Sequence, residues 1–224
     1  MFSVRKEVVE ASKDYKYLLS RGYRQKVVLD LVTSRYGLSI IERILLLRCV
    51  HSSQDVEVIR SKCVKDVKQY PLIIDGYNVL LTLHTVMEGM EVFLCDDGFI
   101  RDLRKSYRKG IDLKTLEDTI ELLKKELLDL TPSSVTIVLD KNVSYSAHHA
   151  DKIKNFMRDL AEVVLADKAD MRVIGGDGII ASSDYVVISR ARKIYDLAGE
   201  IIKKNFKDKI IDLTTLIPFQ TTYS

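Results

Sequence analysis

Leu72-Ile73-Ile74-Asp75-Gly76-Tyr77-Asn78 decides the reading of this chain: three apolar residues run straight into an acid, a glycine and an amide. A short, unbroken apolar run is the mark of a strand buried on both faces, and Asp-Gly ends it at once. A buried strand that empties into a polar turn is expected.

Two later stretches repeat the pattern. Thr136-Ile137-Val138-Leu139 ends on Asp140, and Ile180-Ala181-Ser182-Ser183 ends on Asp184. Between the first two runs, Leu113, Leu116, Ile120, Leu123 and Leu127 recur at 3, 4, 3, 4 spacing, with Glu121 and Lys125 placed as a surface pair. This predicts a long amphipathic helix, broken at Thr131-Pro132-Ser133-Ser134. Farther on, His148 to Leu160 reads as helix, Val163 to Ala166 as strand, Arg190 to Asn205 as helix and Lys209 to Leu213 as a final strand. Gly175-Gly176-Asp177-Gly178 lacks a full dinucleotide or P-loop fingerprint and reads as a plain tight turn rather than a phosphate cradle. Strands alternating with helices imply an α/β fold with a mostly parallel sheet flanked by helices.

Upstream the grammar is helical. Val8, Ala11, Tyr15, Leu18 and Leu19 share a face, and Gly22 is placed to stop that helix. Val27, Val28, Leu31 and Val32 give a second face, ended by Gly37. Ser39 can cap a third helix with Ile41, Ile44, Leu45 and Val50 inward. Such a unit is either a helix-turn-helix or a plain small bundle. The mostly polar His51 to Tyr70 makes the connection, as one imperfect helix or as a strand and a helix. The expected organisation is a small all-α domain over 1–68 and an α/β domain over 69–224.

Charge divides along the same line. Residues 1–70 hold 14 Lys and Arg against 8 Asp and Glu, a net +6, while the remainder carries a net −3. A basic helical third suits nucleic acid or another anionic surface, and also an ordinary solvated face. The hydrophobic and charged shares, 46% and 30%, describe a folded chain rather than a disordered one. Cys49, Cys63 and Cys95 have neither disulfide nor zinc spacing. No apolar stretch near Met1 resembles a signal peptide or membrane span, so a cytoplasmic protein without a membrane partner is expected.

In a parallel sheet all strand carboxyl ends lie at one edge, so Asp75, Asp140 and Asp184 should converge there despite their separation in sequence. Each alone could simply start a turn. Together they would repel unless a cation compensated them, and oxygen ligands suit Mg²⁺ or Mn²⁺. Asp97 is a further candidate ligand. Arg101, Arg104, Lys105 and Arg108 fall at i, i+3, i+4 and i+7, one basic stripe if Phe99 to Lys109 is helical. The stripe would contact successive phosphates while Tyr107 stacks on a base, or would be a solvated face. His148 and His149 open a helix, as solvent-exposed residues or as helpers of a site.

LIIDGYNVL, Leu72 to Leu80, resembles the first-strand motif of NYN-type PIN-like nucleases, and Ser182-Ser183-Asp184 resembles their late Ser/Thr-x-Asp motif. YKYLLSRGY, RYGLS, CDDGFIRDL and LDKNVS further resemble a largely archaeal family joining a small helical domain to a PIN-like one. The resemblance implies metal binding by Asp75 and Asp184, with Asp140 beside them and Asn78 holding the turn or a water, and Asn78, Ser182 and Ser183 are expected near the nucleic acid. It also implies a PIN-like fold and hydrolysis of phosphodiester bonds, with RNA as partner; a homodimer is left open. The chain departs from the pattern at two places. No acidic pair opens the expected helix, where Asp167, Asp170 or Asp177 stands nearby, and Tyr145 and Ala147 replace the Asn and Gly of an SNSG-like turn. The expected function is a metal-dependent ribonuclease, with a catalytically inactive RNA- or protein-binding module as the alternative.

Overall fold

The computed structural model describes residues 4–104 and 113–217. Its first three helices are α1 (Lys6–Ser20), α2 (Gln25–Arg35) and α3 (Ile40–Cys49). Val8, Ala11 and Tyr15 are buried on one face of α1, and Gly22, at φ +82°, turns the chain after it in a conformation that costs glycine little. A capping box at Ser39 and Glu42 starts α3. The inward faces differ from expectation: Val27, Leu31 and Ile41 are exposed, while Val28, Leu29, Val32, Leu45, Leu46 and Cys49 are buried. Glu42, beside the exposed Ile41, is buried and accepts from Arg5 Nε at 2.6 Å. Helix α4 (Ser53–Lys62) then fills the connecting stretch.

The α/β part runs β1 (Pro71–Asp75), α5 (Gly76–Met87), β2 (Val92–Leu94), β3 (Ile100–Arg101), α6 (Leu113–Leu130), β4 (Ser134–Asp140), α7 (Ser146–Met157) and β5 (Glu162–Ala166). It continues through α8 (Ala169–Ile174), β6 (Ile179–Ala181), α9 (Tyr185–Arg190), β7 (Ile194–Tyr195), α10 (Leu197–Asn205), β8 (Ile210–Asp212) and α11 (Leu213–Leu216). Five strands form a parallel sheet ordered β5-β4-β1-β6-β7, with β1 at its centre. The α/β class, the parallel sheet flanked by helices and the helical N-terminal region are therefore as the sequence implies.

Alternation along the central strands sorts their side chains onto two faces. Leu72, Ile74, Ile137, Leu139, Ile179 and Ala181 join one apolar cluster with α5, α6, α7 and α10. Ile73, Val138 and Ile180 join another, with Ile59 of α4, Ala169 and Val173 of α8, and Val187 and Ile188 of α9. Burial on both sides is why these strands read as unbroken apolar runs.

Two departures concern regular structure. The helix expected over Arg190 to Asn205 is interrupted, because Ile194 and Tyr195 pair with Ile180 and Ala181 as an edge strand. Asp196 then accepts from the Gly199 N–H at 3.0 Å and restarts the chain as α10. The final strand leaves the main sheet and joins a second one, ordered β3-β2-β8. Its Phe93, Cys95, Leu213 and Ile217 share an apolar cluster with Val8, Tyr15, Val32, Leu45 and Leu46, so the three N-terminal helices pack on this small sheet.

Candidate metal centre at the strand ends

Parity places the acids. Asp75 lies two residues beyond Ile73, and Asp140 two beyond Val138, so both carboxylates fall on the sheet face covered by α8 and α9. Strands β4 and β6 flank β1 in parallel, with Asp75 opposite Val138 and Ile74 opposite Ala181. The segment after β6 thus leaves the sheet beside Asp75. Gly76 allows the sharp exit of β1, since a Cβ there would lie 2.6 Å from Leu139 Cδ2 and 2.9 Å from the Val138 carbonyl oxygen.

Hydrogen bonds tie these ends together. Ser182 Oγ donates to Asp75 Oδ2 at 2.8 Å, and the Asp184 N–H donates to Ser182 Oγ at 3.1 Å. Asn78 Oδ1 accepts from the Ser183 N–H at 2.8 Å and from Ser183 Oγ at 3.1 Å. Asp184 in turn caps α9, accepting from the Val186 N–H at 2.7 Å. Asp140 accepts from the Asn142 N–H at 2.8 Å and so also begins a turn. The turn-starting role and a shared electrostatic role coexist at both positions.

Burial pushes the Asp75 carboxyl up to about 7, and the charges of Asp184 and Asp170 push in the same direction. Donors from Ser182 and the Asn78 N–H oppose the rise. Asp170 is raised as well, by its own partial burial and then by Asp184 and Asp140, with Arg190 opposing. The charge of Asp184 thus acts on both Asp75 and Asp170, and that of Asp140 on Asp170. Of Asp167, Asp170 and Asp177, Asp170 is the one whose carboxyl is raised by Asp184 and Asp140. Its only sequence signal is position, just inside a short helix that follows β5.

This donor set consists of hard oxygens on mutually repelling acids and fits a divalent cation. Among the described residues, no three of these acids bring their ligand atoms within 4.8 Å of one another. The arrangement is wider than a tight protein chelate.

A second group is tighter. His51, Asp96 and Asp97 are all buried, with ligand atoms within 4.8 Å, and could hold a metal ion. His51 Nδ1 lies 2.8 Å from Asp96 Oδ1 and 3.8 Å from Asp97 Oδ2. Cations already face both acids, however: Lys16 Nζ donates to Asp96 at 2.7 Å, and Arg101 forks onto Asp97 at 2.9 and 2.5 Å. Asp97 thus belongs to a buried ion-pair network, and its carboxyl is held below the usual range despite burial because Arg101 is beside it. It is not grouped with Asp75, Asp140 and Asp184 as their common ligand set.

The basic stripe is not built as expected. Ile100 and Arg101 form β3, antiparallel to β2, so the helical spacing does not apply at the start of the segment. Arg101 is buried, and its Nε donates to the Ser183 carbonyl at 2.6 Å. Arg104 pairs with Glu88. A buried or paired guanidinium is not a free phosphate contact. Lys105 and Arg108, with Tyr107, lie outside the described residues. His149 is buried rather than solvent-exposed, with Nδ1 3.0 Å from the Tyr77 hydroxyl.

Comparisons with known proteins agree on kinship. Residues 8–62 match the family described as "Protein of unknown function (DUF434)". The "Uncharacterized protein MJ0935" of Methanocaldococcus jannaschii is 32% identical over 203 residues, covering 88% of this chain and 97% of that protein. No solved structure matches. No helix among the described residues is long and apolar enough to cross a membrane. Residues 64–200, which hold all four acids of the strand-end group, match the family described as "Domain of unknown function (DUF5616)", and the chain belongs to that family.

Proposed function

We propose that the chain is a divalent-metal-dependent phosphodiesterase acting on RNA, with Asp75 and Asp184 as the principal ligands of Mg²⁺ or Mn²⁺. The observation that carries this reading is Asp75: a buried carboxyl whose pKa is raised further by the charges of Asp184 and Asp170. An ion shared between them removes that repulsion. Asp140 and Asp170 would add negative charge beside the ion, and Asp97 is left to its ion pair with Arg101. The bound ion would polarise a phosphodiester and lower the pKa of water at neutral pH.

The chain's own residues orient this chemistry. Ser182 fixes the Asp75 carboxylate, and Asn78 anchors the Ser183 backbone so that Asp184 is presented at the same edge. A PIN-like fold is supported by the strand-end motifs Leu72 to Leu80 and Ser182 to Asp184. A cytoplasmic setting is consistent with three free thiols. A second reading, an RNA-binding module without catalysis, draws on the wide spacing of the acids. The two are separated by incubating labelled single-stranded RNA with the protein in Mn²⁺, with and without chelator, beside Asp184→Asn. Cleavage that needs both the ion and Asp184 supports the enzyme, whereas binding without cleavage supports the module. Chelator-insensitive cleavage contradicts the metal mechanism.

A further inference from the structure

A cavity of about 250 Å³ opens directly beside Asp184, between the N-terminal helices and the parallel sheet. Gln25, Leu47 and Arg48 line one side, while Asn78, Asp184, Tyr185 and Val186 line the other. Leu47 and Val186 expose apolar surface. One face of the Tyr185 ring stacks on His51 at 4.8 Å with an interplanar angle of 18°. Asn78 has its oxygen committed to Ser183, which leaves its amide NH₂ as the donor available at the cavity. Arg48 Nη1 donates to the Asp102 carbonyl at 2.7 Å and pairs with the Asp102 carboxylate at 3.1 Å, and Asp102 lines the same cavity.

These features describe a subsite for one flat, partly polar group attached to an anion. Apolar walls and an aromatic ring suit a nucleobase, since stacking on aromatic side chains recognises any base. A fixed amide donor suits a base or ribose acceptor, and the attached anion would meet the ion proposed at Asp184, since Arg48 is already paired with Asp102. The volume lies just below the roughly 300 Å³ at which pockets for drug-sized ligands begin, which fits one nucleoside rather than a longer stretch of strand. We propose that this cavity holds the nucleoside monophosphate unit flanking the scissile phosphate, so that the N-terminal helices supply one wall of the substrate site. The inference rests on the metal-centre reading and adds the substrate unit and the role of α2 and α3.

The test uses the four ribonucleoside 5′-monophosphates and ribose 5-phosphate as probes, titrated into the full chain by NMR. Leu47→Glu and Val186→Glu change exposed positions and leave the apolar clusters untouched, and thermal melts check their folding. The expected result is saturable nucleotide binding that is weakened about tenfold or more in both variants, with ribose 5-phosphate binding more weakly than the nucleotides. Mn²⁺ affinity of the wild type is read in parallel. Absence of nucleotide binding, equal binding in both variants, or ribose 5-phosphate binding as tightly as nucleotides would overturn the subsite while leaving the metal centre standing. Failure of wild type to bind Mn²⁺ would instead remove the metal centre, and nucleotide binding would still be judged by the two variants.

Discussion

Replacing Asp75 by Asn should make the metal-free protein steadier, and by an amount that depends on pH. The carboxyl titrates at about 7 in the fold against an ordinary 3.8. Between those values the folded chain keeps a proton that the unfolded chain has released, so stability falls as pH rises through the window and levels off above it. At one pK unit per 1.36 kcal/mol, the wild-type penalty reaches roughly 4 kcal/mol at pH 8 but only about 2 kcal/mol at pH 5. Asn removes the charge while losing part of the bonding to Ser182 and the Asn78 N–H, a cost of about 1–3 kcal/mol that is common to both pH values. The difference between the two conditions is therefore the cleaner quantity. On going from pH 5 to pH 8 with chelator present, Asp75→Asn should gain about 2–3 kcal/mol over wild type. For a chain of this size that corresponds to roughly 4–12 °C in relative Tm. Urea unfolding at the two pH values measures it directly. A stability gap that is the same at both would show that Asp75 titrates at an ordinary value and that the acids do not crowd one another.

Other outcomes follow from the same geometry. Arg101→Met leaves the Asp97 carboxylate buried without its fork and should cost about 3–5 kcal/mol in urea unfolding; a loss below about 1 kcal/mol would contradict the network. Tyr145 sits at φ +63° and is 77% exposed, so Tyr145→Asn should stabilise by about 0.5–1 kcal/mol and raise Tm, because Asn tolerates the left-handed region better. Neutralising Arg21, Arg24, Lys26 and Arg35 should flatten the dependence of RNA affinity on salt by about 0.7 in logarithmic slope for each phosphate that is no longer neutralised, whereas an unchanged slope would show that these helices do not meet the RNA backbone.

The central strands were legible because burial on both faces leaves an unbroken apolar run, and a terminal Asp marks where each run stops. Asp75, Asp140 and Asp184 could be placed at one edge from parallel connectivity alone. Asp170 could not be singled out, since its position depends on how the six-residue α8 sits over β1 and β4. Strands β2, β3 and β8 are two or three residues long and are stabilised by pairing with distant segments, so local pattern carries little of them. The basic spacing misled at Arg101 for a related reason. Helical periodicity in charge says nothing of a buried partner, and Asp97, four residues before Arg101, captures that guanidinium as the chain enters a strand. The meeting of His51 with Asp96, 45 residues apart, is likewise a product of packing the helices on the small sheet.

Whether the strand-end acids hold an ion is the central question, and calorimetric titration of chelator-stripped protein with Mn²⁺ answers it directly. Wild type, Asp75→Asn and Asp184→Asn should be compared at pH 6 in two buffers of different ionisation heat. Asp184→Asn keeps a side-chain oxygen to cap α9, so its fold should persist. The expected result is saturable binding by wild type with release of a proton, because Asp75 must give up the proton it holds at that pH, and a loss of about tenfold or more in affinity in each variant. Equal affinity in all three proteins, or binding without proton release, would place the ion elsewhere and contradict a metal centre built on Asp75 and Asp184.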